Sequence, residues 1–255
     1  MKKALYRYPE AYEDDLVEDY HGTPVADPFR WLEDPENPET KEWTKAQNAL
    51  TEGFLAEEPA YHKIKARLTE LWQFPHYTTV YEKGERIFFT RNSGNQNQPA
   101  LYLQEGNGDP ILLVDPNTLS EDGTVALMTQ KFTKDGGLLA YSLSESGSDW
   151  QRIKILDVDA NQHFDEDLIY TKFPNVAWGK DKQGFYYNRL PDPDTIAPED
   201  RNNYRFVAWH TLGTPQSKDV KIFQHEDKTL GVLPLVTEDH KYLVLWIYRG
   251  TRYLW

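Results

Sequence analysis

The hydrophobic pattern changes character near residue 73. Before that point the apolar residues recur at helical spacing. Asn37-Pro38-Glu39 combines an N-cap type, a proline for the first turn and an acid for the positive end of a helix dipole. The apolar positions that follow lie three or four residues apart, at Trp43, Ala46, Leu50 and Phe54. A first helix is therefore expected here, with Gly53 weakening its end.

A second helix is predicted to start near Pro59. One of its faces carries Tyr61, Ile64, Leu68, Leu71 and Trp72. Phe74-Pro75 should stop it, because proline disfavours helical geometry in the residue before it. Residues 1–72 are therefore expected to form an N-terminal helical segment.

After residue 73 the pattern has period two. Short apolar runs alternate with turn residues, as at 86–90, 100–103 and 111–114. One phrase, an apolar residue followed by a polar turn and an apolar strand, occurs four times, at 81–89, 132–141, 178–187 and 236–245. The interval of about fifty residues is that of four-stranded propeller blades. A β-sandwich also repeats strand, turn and strand, and it remains the alternative.

The predicted fold class is mainly β, a helical segment followed by the first blades, about 3.5, of a β-propeller. We expect blade 1 at about 76–115, blade 2 at about 124–172, blade 3 at about 175–224 and a partial blade 4 at about 232–255. Propellers protect their strand edges by closure, and the fourth copy lacks a closing element. The natural polypeptide is therefore expected to continue.

Composition narrows the class of protein. Aromatic residues make up 14% of 255 residues, which favours strands. The net charge of −13 and the lack of a basic cluster argue against a nucleic-acid partner. Without cysteine there is no disulfide, thiolate nucleophile or cysteine zinc site. Met1-Lys2-Lys3 could begin a signal peptide, but no apolar region follows, and no stretch is long enough to span a membrane. We expect a soluble, cytoplasmic protein.

Local motifs for catalysis are missing. No two of the fifteen glycines lie four apart, so a Gly-x-Ser-x-Gly nucleophile elbow is absent. Ser146-Gly147-Ser148-Asp149 lies between two predicted strands and is predicted to be a turn. None of the seven histidines has zinc-site spacing, and no phosphate-binding glycine loop occurs. No metal and no cofactor is therefore expected.

Several long segments resemble the prolyl oligopeptidase family of serine peptidases, in order along the chain. They are 19–35, 46–48 with 54–55, 92–98, 115–119, 122–127, 144–150 and 212–217. The related oligopeptidase B group shares the architecture, but the run Asp27-Pro28-Phe29-Arg30-Trp31-Leu32-Glu33-Asp34-Pro35 favours the prolyl branch.

The resemblance implies an α/β-hydrolase domain with a Ser, Asp and His triad, covered by a seven-bladed propeller that admits short peptides. Residues 1–72 would pack on the hydrolase domain. This chain would lack the remaining blades and the triad, so no catalytic residue is expected in it. Its implied partners are the missing C-terminal α/β-hydrolase domain and short proline-containing peptides.

Two residues are candidates for substrate binding. The resemblance places a cavity aromatic on the third-blade strand, and the register assigns Tyr186; period-two alternation puts Phe185 and Tyr187 on the opposite face. The alternative is that Tyr186 is ordinary core. Asp149 could face the same cavity and bias the charge of bound peptides, or it could cap its own turn.

Three functions stay open at this point. The first is part of a prolyl-specific serine endopeptidase, inactive without its catalytic domain. The second is a non-catalytic, propeller-like binding module. A glycosidase, which would need two carboxylates meeting in space, is the distant third.

Overall fold

The computed structural model describes residues 7–250 and 252–254. Met1-Lys2-Lys3, considered above as the start of a signal peptide, and Trp255 lie outside the described residues. The chain divides into two units, residues 1–72 and 73–255. Within the described residues, no helix is both long and apolar enough to cross a membrane.

The first unit contains a small hairpin and two helices. Strands β1 (Val17–Tyr20) and β2 (Thr23–Ala26) pair antiparallel around a turn in which His21 and Gly22 have φ angles of 57° and 87°. Helices α1 (Pro38–Ala56) and α2 (Pro59–Trp72) follow. The Asn37 side chain accepts a hydrogen bond from the backbone N of Glu39, so the predicted helix start is confirmed.

The run at 27–35, which carries the family resemblance, holds this unit together through Arg30 and Trp31. The Arg30 guanidinium forms ion pairs with Glu18 and with Asp27, linking the hairpin to the turn that follows it. The Trp31 indole stacks on Tyr12, with ring centroids 4.6 Å apart, and donates to the carbonyl oxygen of Tyr12 at 3.1 Å. These residues are therefore structural in the part of the chain described.

The apolar face predicted for α2 is uncovered. Ile64, Leu68 and Leu71 are 58%, 48% and 49% exposed, and no residue of this helix is buried. The spacing of three and four residues places them on one stripe of the helix.

The second unit is a series of four antiparallel sheets. Sheet 1 contains β3 (His76–Lys83), β4 (Arg86–Asn92), β5 (Ala100–Glu105) and β6 (Ile111–Val114). Sheet 2 contains β7 (Ala126–Phe132), β8 (Leu138–Ser144), β9 (Trp150–Asp157), β10 (Gln162–His163) and β11 (Leu168–Lys172). Sheet 3 contains β12 (Val176–Trp178), β13 (Gly184–Arg189), β14 (Phe206–Thr211) and β15 (Val220–Gln224). Sheet 4 contains β16 (Gly231–Val236), β17 (Leu243–Arg249) and β18 (Arg252–Leu254).

Successive sheets pack face to face. One buried cluster joins sheets 1 and 2, with Phe88 and Phe132 rings 4.0 Å apart at its centre. A second cluster joins sheets 2 and 3 around Ile155, Phe185 and Tyr187, all 0% exposed. Propeller blades pack in this way, and the four sheets do not close into a ring.

Polar bonds also tie each sheet to the next. The Arg86 guanidinium of sheet 1 lies 2.6 Å from Asp159, in the turn after β9. The Trp178 indole of sheet 3 donates to the carbonyl of Lys131 in sheet 2 at 2.8 Å. The Asn175 amide donates to Pro234 of sheet 4 at 2.6 Å. These bonds fix the position of each sheet relative to the next.

The recurring sequence phrase corresponds to one recurring turn. In sheets 2 to 4 the hairpin between the first two strands contains Asp135, Asp181 or Asp239, whose carboxylate accepts from the backbone N two residues later at 3.1–3.3 Å. The next residue, Gly136, Lys182 or His240, adopts positive φ. This shared turn chemistry explains why the pattern recurs along the sequence.

A buried polar network lies at the interface of sheets 2 and 3. His210, on β14, is 0% exposed, and its Nδ1 lies 2.7 Å from Asp219 Oδ1. The Tyr187 hydroxyl donates to Asp219 Oδ2 at 2.5 Å and accepts from the Gln216 amide at 2.9 Å. Gln216 also donates to Ile169 O of sheet 2 at 3.0 Å. Burial, followed by the Asp219 charge, raises the pKa of Tyr187, so the hydroxyl keeps its proton.

Substituting Asp219→Ala should destabilise the second unit by about 3 kcal/mol, because the Tyr187 hydroxyl and His210 Nδ1 would be buried without their acceptor. Urea unfolding followed by tryptophan fluorescence would measure this change. The matched control is Asp149→Ala, an exposed aspartate expected to change the free energy of unfolding by less than about 0.5 kcal/mol. Equal effects of the two substitutions would contradict a structural role for the network.

Candidate functional site

The first strands of the four sheets surround one cavity. These strands, β3, β7, β12 and β16, all run toward the same end, where the turns at 84–85, 133–137, 179–183 and 237–242 lead into the second strands. We call this the hairpin end, and the other end, with the loops 93–99, 145–149 and 190–205, the far end. The axial cavity has a volume of about 470 Å³, and its wall includes Lys131, Trp178, Val236 and His240. These four first strands, which we call the innermost strands, therefore line a surface that a ligand can reach.

Tyr186 lies beside a second cavity at the hairpin end. It is half-buried on β13 and packs edge-on against Trp209, with ring centroids 4.7 Å apart. Both rings line a cavity of about 620 Å³ between sheets 3 and 4, together with Tyr242 and Leu243. Val236 and His240 line this cavity as well as the axial one, so the two cavities adjoin.

The strand neighbours of Tyr186 have a different environment. Phe185 and Tyr187 are fully buried in the cluster that joins sheets 2 and 3. Tyr186 is on the opposite face of β13, toward sheet 4, as the alternation of a strand requires. Its partly open side chain can contact a ligand, whereas the two flanking rings cannot.

Asp149 lies at the far end, away from Tyr186. It is exposed, and among the described residues no hydrogen bond or ion pair involves its carboxylate. The serine beside it caps the turn: Ser148 Oγ accepts from Trp150 N at 3.1 Å, and Ser148 N donates to Glu145 O at 2.9 Å. The segment 146–149 is thus a turn. The structure does not bring Tyr186 and Asp149 together in one site.

The residues that could serve in hydrolysis do not form a triad in the part of the chain described. His210 and Asp219 are paired, but both side chains are at most 3% exposed. His210 Nε2 is buried and has no hydrogen-bond partner, so no serine hydroxyl lies within reach of the imidazole. The described residues likewise contain no group of three or more His, Asp or Glu that could hold a metal ion.

Several residues of these cavities were not singled out in the sequence. Trp209 is on a strand that follows a long loop, and its contact with Tyr186 depends on the pairing of β13 with β14. Lys131 and His240 line the axial cavity from sheets 2 and 4.

Phe173 lies outside these cavities, at the far end. It is 59% exposed and has a φ of 48°, an unusual backbone conformation for a bulky residue. Only the three-dimensional arrangement could identify these positions.

Known proteins share both the sequence and the fold. Residues 9–255 match the family described as the N-terminal β-propeller domain of prolyl oligopeptidase. The chain is 35% identical to a prolyl endopeptidase of Elizabethkingia meningoseptica over 94% of this chain and 34% of the relative. It is 32% identical to prolyl oligopeptidase A of Galerina marginata over 96% of this chain and 38% of the relative.

Solved structures agree with these relatives. A structure from a study of two prolyl endopeptidases matches with a TM-score of 0.84 and 34% identity, covering 96% of this chain and 36% of that one. Prolyl oligopeptidase B of Galerina marginata, bound to a 35-residue hydrolysis and macrocyclization substrate, matches with a TM-score of 0.76 and 25% identity, over 96% and 38% of the two chains.

The matched region is the front part of longer proteins. This chain spans about a third of the length of the curated relatives it matches. The predicted family and the predicted propeller architecture are both confirmed, with sheets that remain open. The chain belongs to the prolyl oligopeptidase family and corresponds to its N-terminal β-propeller domain.

Proposed function

We propose that this chain is the N-terminal segment and partial propeller of a serine endopeptidase that cleaves short peptides after proline. The observation that carries the proposal is the continuous family match over residues 9–255, combined with coverage of about a third of relatives named prolyl endopeptidases. The serine, aspartate and histidine of the triad would come from a C-terminal α/β-hydrolase domain. The propeller would restrict access to them.

The exposed apolar faces of the two terminal sheets, sheets 1 and 4, are an argument for further blades. On sheet 4 the cross-strand pair Leu235 and Val244 is 36% and 46% exposed, on the face turned away from sheet 3. On sheet 1, Val80 and Leu112 are 64% and 44% exposed, on the face turned away from sheet 2. Apolar faces of this kind are covered by another sheet in propellers.

The exposed stripe of α2 supports a partner for residues 1–72. The apolar stripe of an amphipathic helix is normally covered by a neighbouring element, whereas Ile64, Leu68 and Leu71 are exposed in the part of the chain described. We infer that the catalytic domain covers this stripe, as in the family. The cytoplasmic location expected from the sequence remains a prediction, for which cell fractionation is the test.

Tyr186 and Asp149 remain our proposed substrate contacts, acting at separate places. Tyr186, with Trp209, offers an aromatic surface at the hairpin end, suited to contact with the apolar ring of proline. Asp149 offers an unpaired negative charge at the far end, which would attract cationic peptides.

The isolated chain should have no peptidase activity, whereas the protein extended along its coding frame beyond the Trp255 codon should hydrolyse a Gly-Pro chromogenic reporter. The physical reason is that the described residues contain no accessible nucleophile with its base. Fluorophosphonate labelling with mass spectrometry would locate the reactive serine. Specific labelling of any serine within residues 1–255 would contradict the proposal, as would an extended protein that leaves the reporter intact.

The isolated chain should also self-associate, because both terminal sheets expose apolar faces. Substituting Val80→Lys together with Val244→Lys should shift the size-exclusion and light-scattering mass toward that of a monomer and reduce binding of an apolar dye. The control places the same pair of charges on exposed polar positions, Asn107→Lys with Thr211→Lys. A cooperatively folded wild-type monomer that binds no dye would favour the free-standing binding module instead.

In the extended, active protein, Tyr186→Ala should raise KM for proline peptides about five-fold with little change in kcat. The reason is that the lost contact would stabilise the bound substrate and the transition state equally. Tyr186→Phe keeps the ring and should change KM less than two-fold. Asp149→Asn should raise KM about two-fold for lysine-containing peptides only, since exposed charges interact weakly. Unchanged KM values in steady-state assays of Tyr186→Ala would mean that Tyr186 only packs sheet 3 against sheet 4.

A further inference from the structure

Two lysine ammonium groups line the axial cavity without a counterion. Lys83 is the last residue of β3, and Lys131 is the penultimate residue of β7. Among the described residues, no carboxylate forms an ion pair or hydrogen bond with either of them. Other lysines on the same unit are paired, for example Lys182 with Asp135 and Lys228 with Asp200.

The fold brings these lysines together from neighbouring sheets. The Lys83 Cβ lies beside Gly136, 3.1 Å from where a Cβ there would be, so this side chain faces sheet 2. Lys131 is half-buried and pairs with Ala140 in the ladder of β7 and β8. Burial, followed by the charge of Lys83, holds the pKa of Lys131 below its ordinary value. A bound anion would offset both effects.

The nearby carboxylates do not neutralise these lysines. Glu82 also lines the cavity, but it lies on the opposite face of β3 from Lys83. Glu238 is exposed in the turn after β16, where Lys134 Nζ lies 3.5 Å from its backbone oxygen rather than its carboxylate. The positive charge of Lys83 and Lys131 is thus locally uncompensated.

A third unsatisfied group lines the same cavity. Nδ1 of His240 is buried and has no hydrogen-bond partner among the described residues. Buried polar atoms are nearly always hydrogen-bonded, so an orphan atom in the wall of a cavity that also holds two unpaired ammonium groups points to a missing hydrogen-bond partner. His240 has a φ of 57° in its turn, which holds the ring at the boundary of the two cavities.

We propose that the axial cavity binds the carboxylate of a peptide, with the Lys83 and Lys131 ammonium groups as its cationic contacts and His240 Nδ1 as a further hydrogen-bond donor. A carboxylate is the anion that every peptide with a free C-terminus carries. The adjoining aromatic cavity of Tyr186 and Trp209 would receive the residues before it. The ligand class rests on the proposed peptidase function, whereas the anion site itself rests on the geometry above.

The test is isothermal titration calorimetry, which does not require a monomeric protein, of the 255-residue chain with N-acetyl-Gly-Pro-Gly, compared with the same peptide as its C-terminal amide. The free carboxylate should bind at least five-fold more tightly than the amide. Lys131→Gln should weaken binding of the carboxylate peptide about tenfold, since one charge-assisted hydrogen bond is lost. Lys131→Arg retains the charge and should restore most of the affinity.

The matched control is Lys63→Gln, the same change of charge on the exposed surface of α2, which should leave the affinity unchanged. Equal affinity for the carboxylate and the amide would overturn the anion site, as would equal effects of Lys131→Gln and Lys63→Gln. If inorganic phosphate binds at these residues but the peptide carboxylate does not, the assigned ligand class is wrong. Binding of the carboxylate peptide by a protein whose extended form proves not to be a peptidase would separate this site from the proposed function.

Discussion

The packing of one twisted sheet face against the next is the interaction on which the rest of this structure depends. Each inner sheet buries apolar side chains on both faces, as sheet 2 does with Phe132 toward sheet 1 and Ile155 toward sheet 3. A strand in this position needs apolar residues on both of its faces. The same packing leaves sheets 1 and 4 with one covered face each and with exposed apolar side chains on the other.

This packing also determines where ligands can reach the protein. Side chains in the middle of an inner sheet are buried against a neighbouring sheet. The positions open to a ligand are therefore the innermost strands, the turns and the loops. Phe185 and Tyr187 are accordingly fully buried, whereas Tyr186, Lys131 and His240 line cavities at the hairpin end. The architecture therefore leaves polar and aromatic side chains accessible at the cavities while its cores are closed to solvent.

The sequence predicted the features that depend on neighbouring residues. The cap at Asn37, the period-two strands and the recurring hairpin all follow from local chemistry, and an aspartate accounts for the repeat in the turns of sheets 2 to 4. Contacts between residues distant in sequence were beyond reach. Lys83 and Lys131 meet across 48 positions because two sheets stack, and the Tyr186–Trp209 contact spans a long loop. No spacing rule predicts either pair. The separation of Tyr186 from Asp149 likewise required knowing at which end each strand begins.

The buried pair of His210 and Asp219 has a structural role rather than a catalytic one in the part of the chain described. An imidazole beside a carboxylate is two thirds of a catalytic triad, yet here the pair fills the interface of two sheets and is closed to solvent. Opening such a pair to a substrate would require separating the sheets, and that would expose the apolar cluster around it. In an α/β-hydrolase the nucleophile stands on an exposed strand-to-helix elbow, and this chain contains no Gly-x-Ser-x-Gly motif for one. In the proposed peptidase, the nucleophile and its base would therefore come from a separate domain, and the axial cavity would contribute binding.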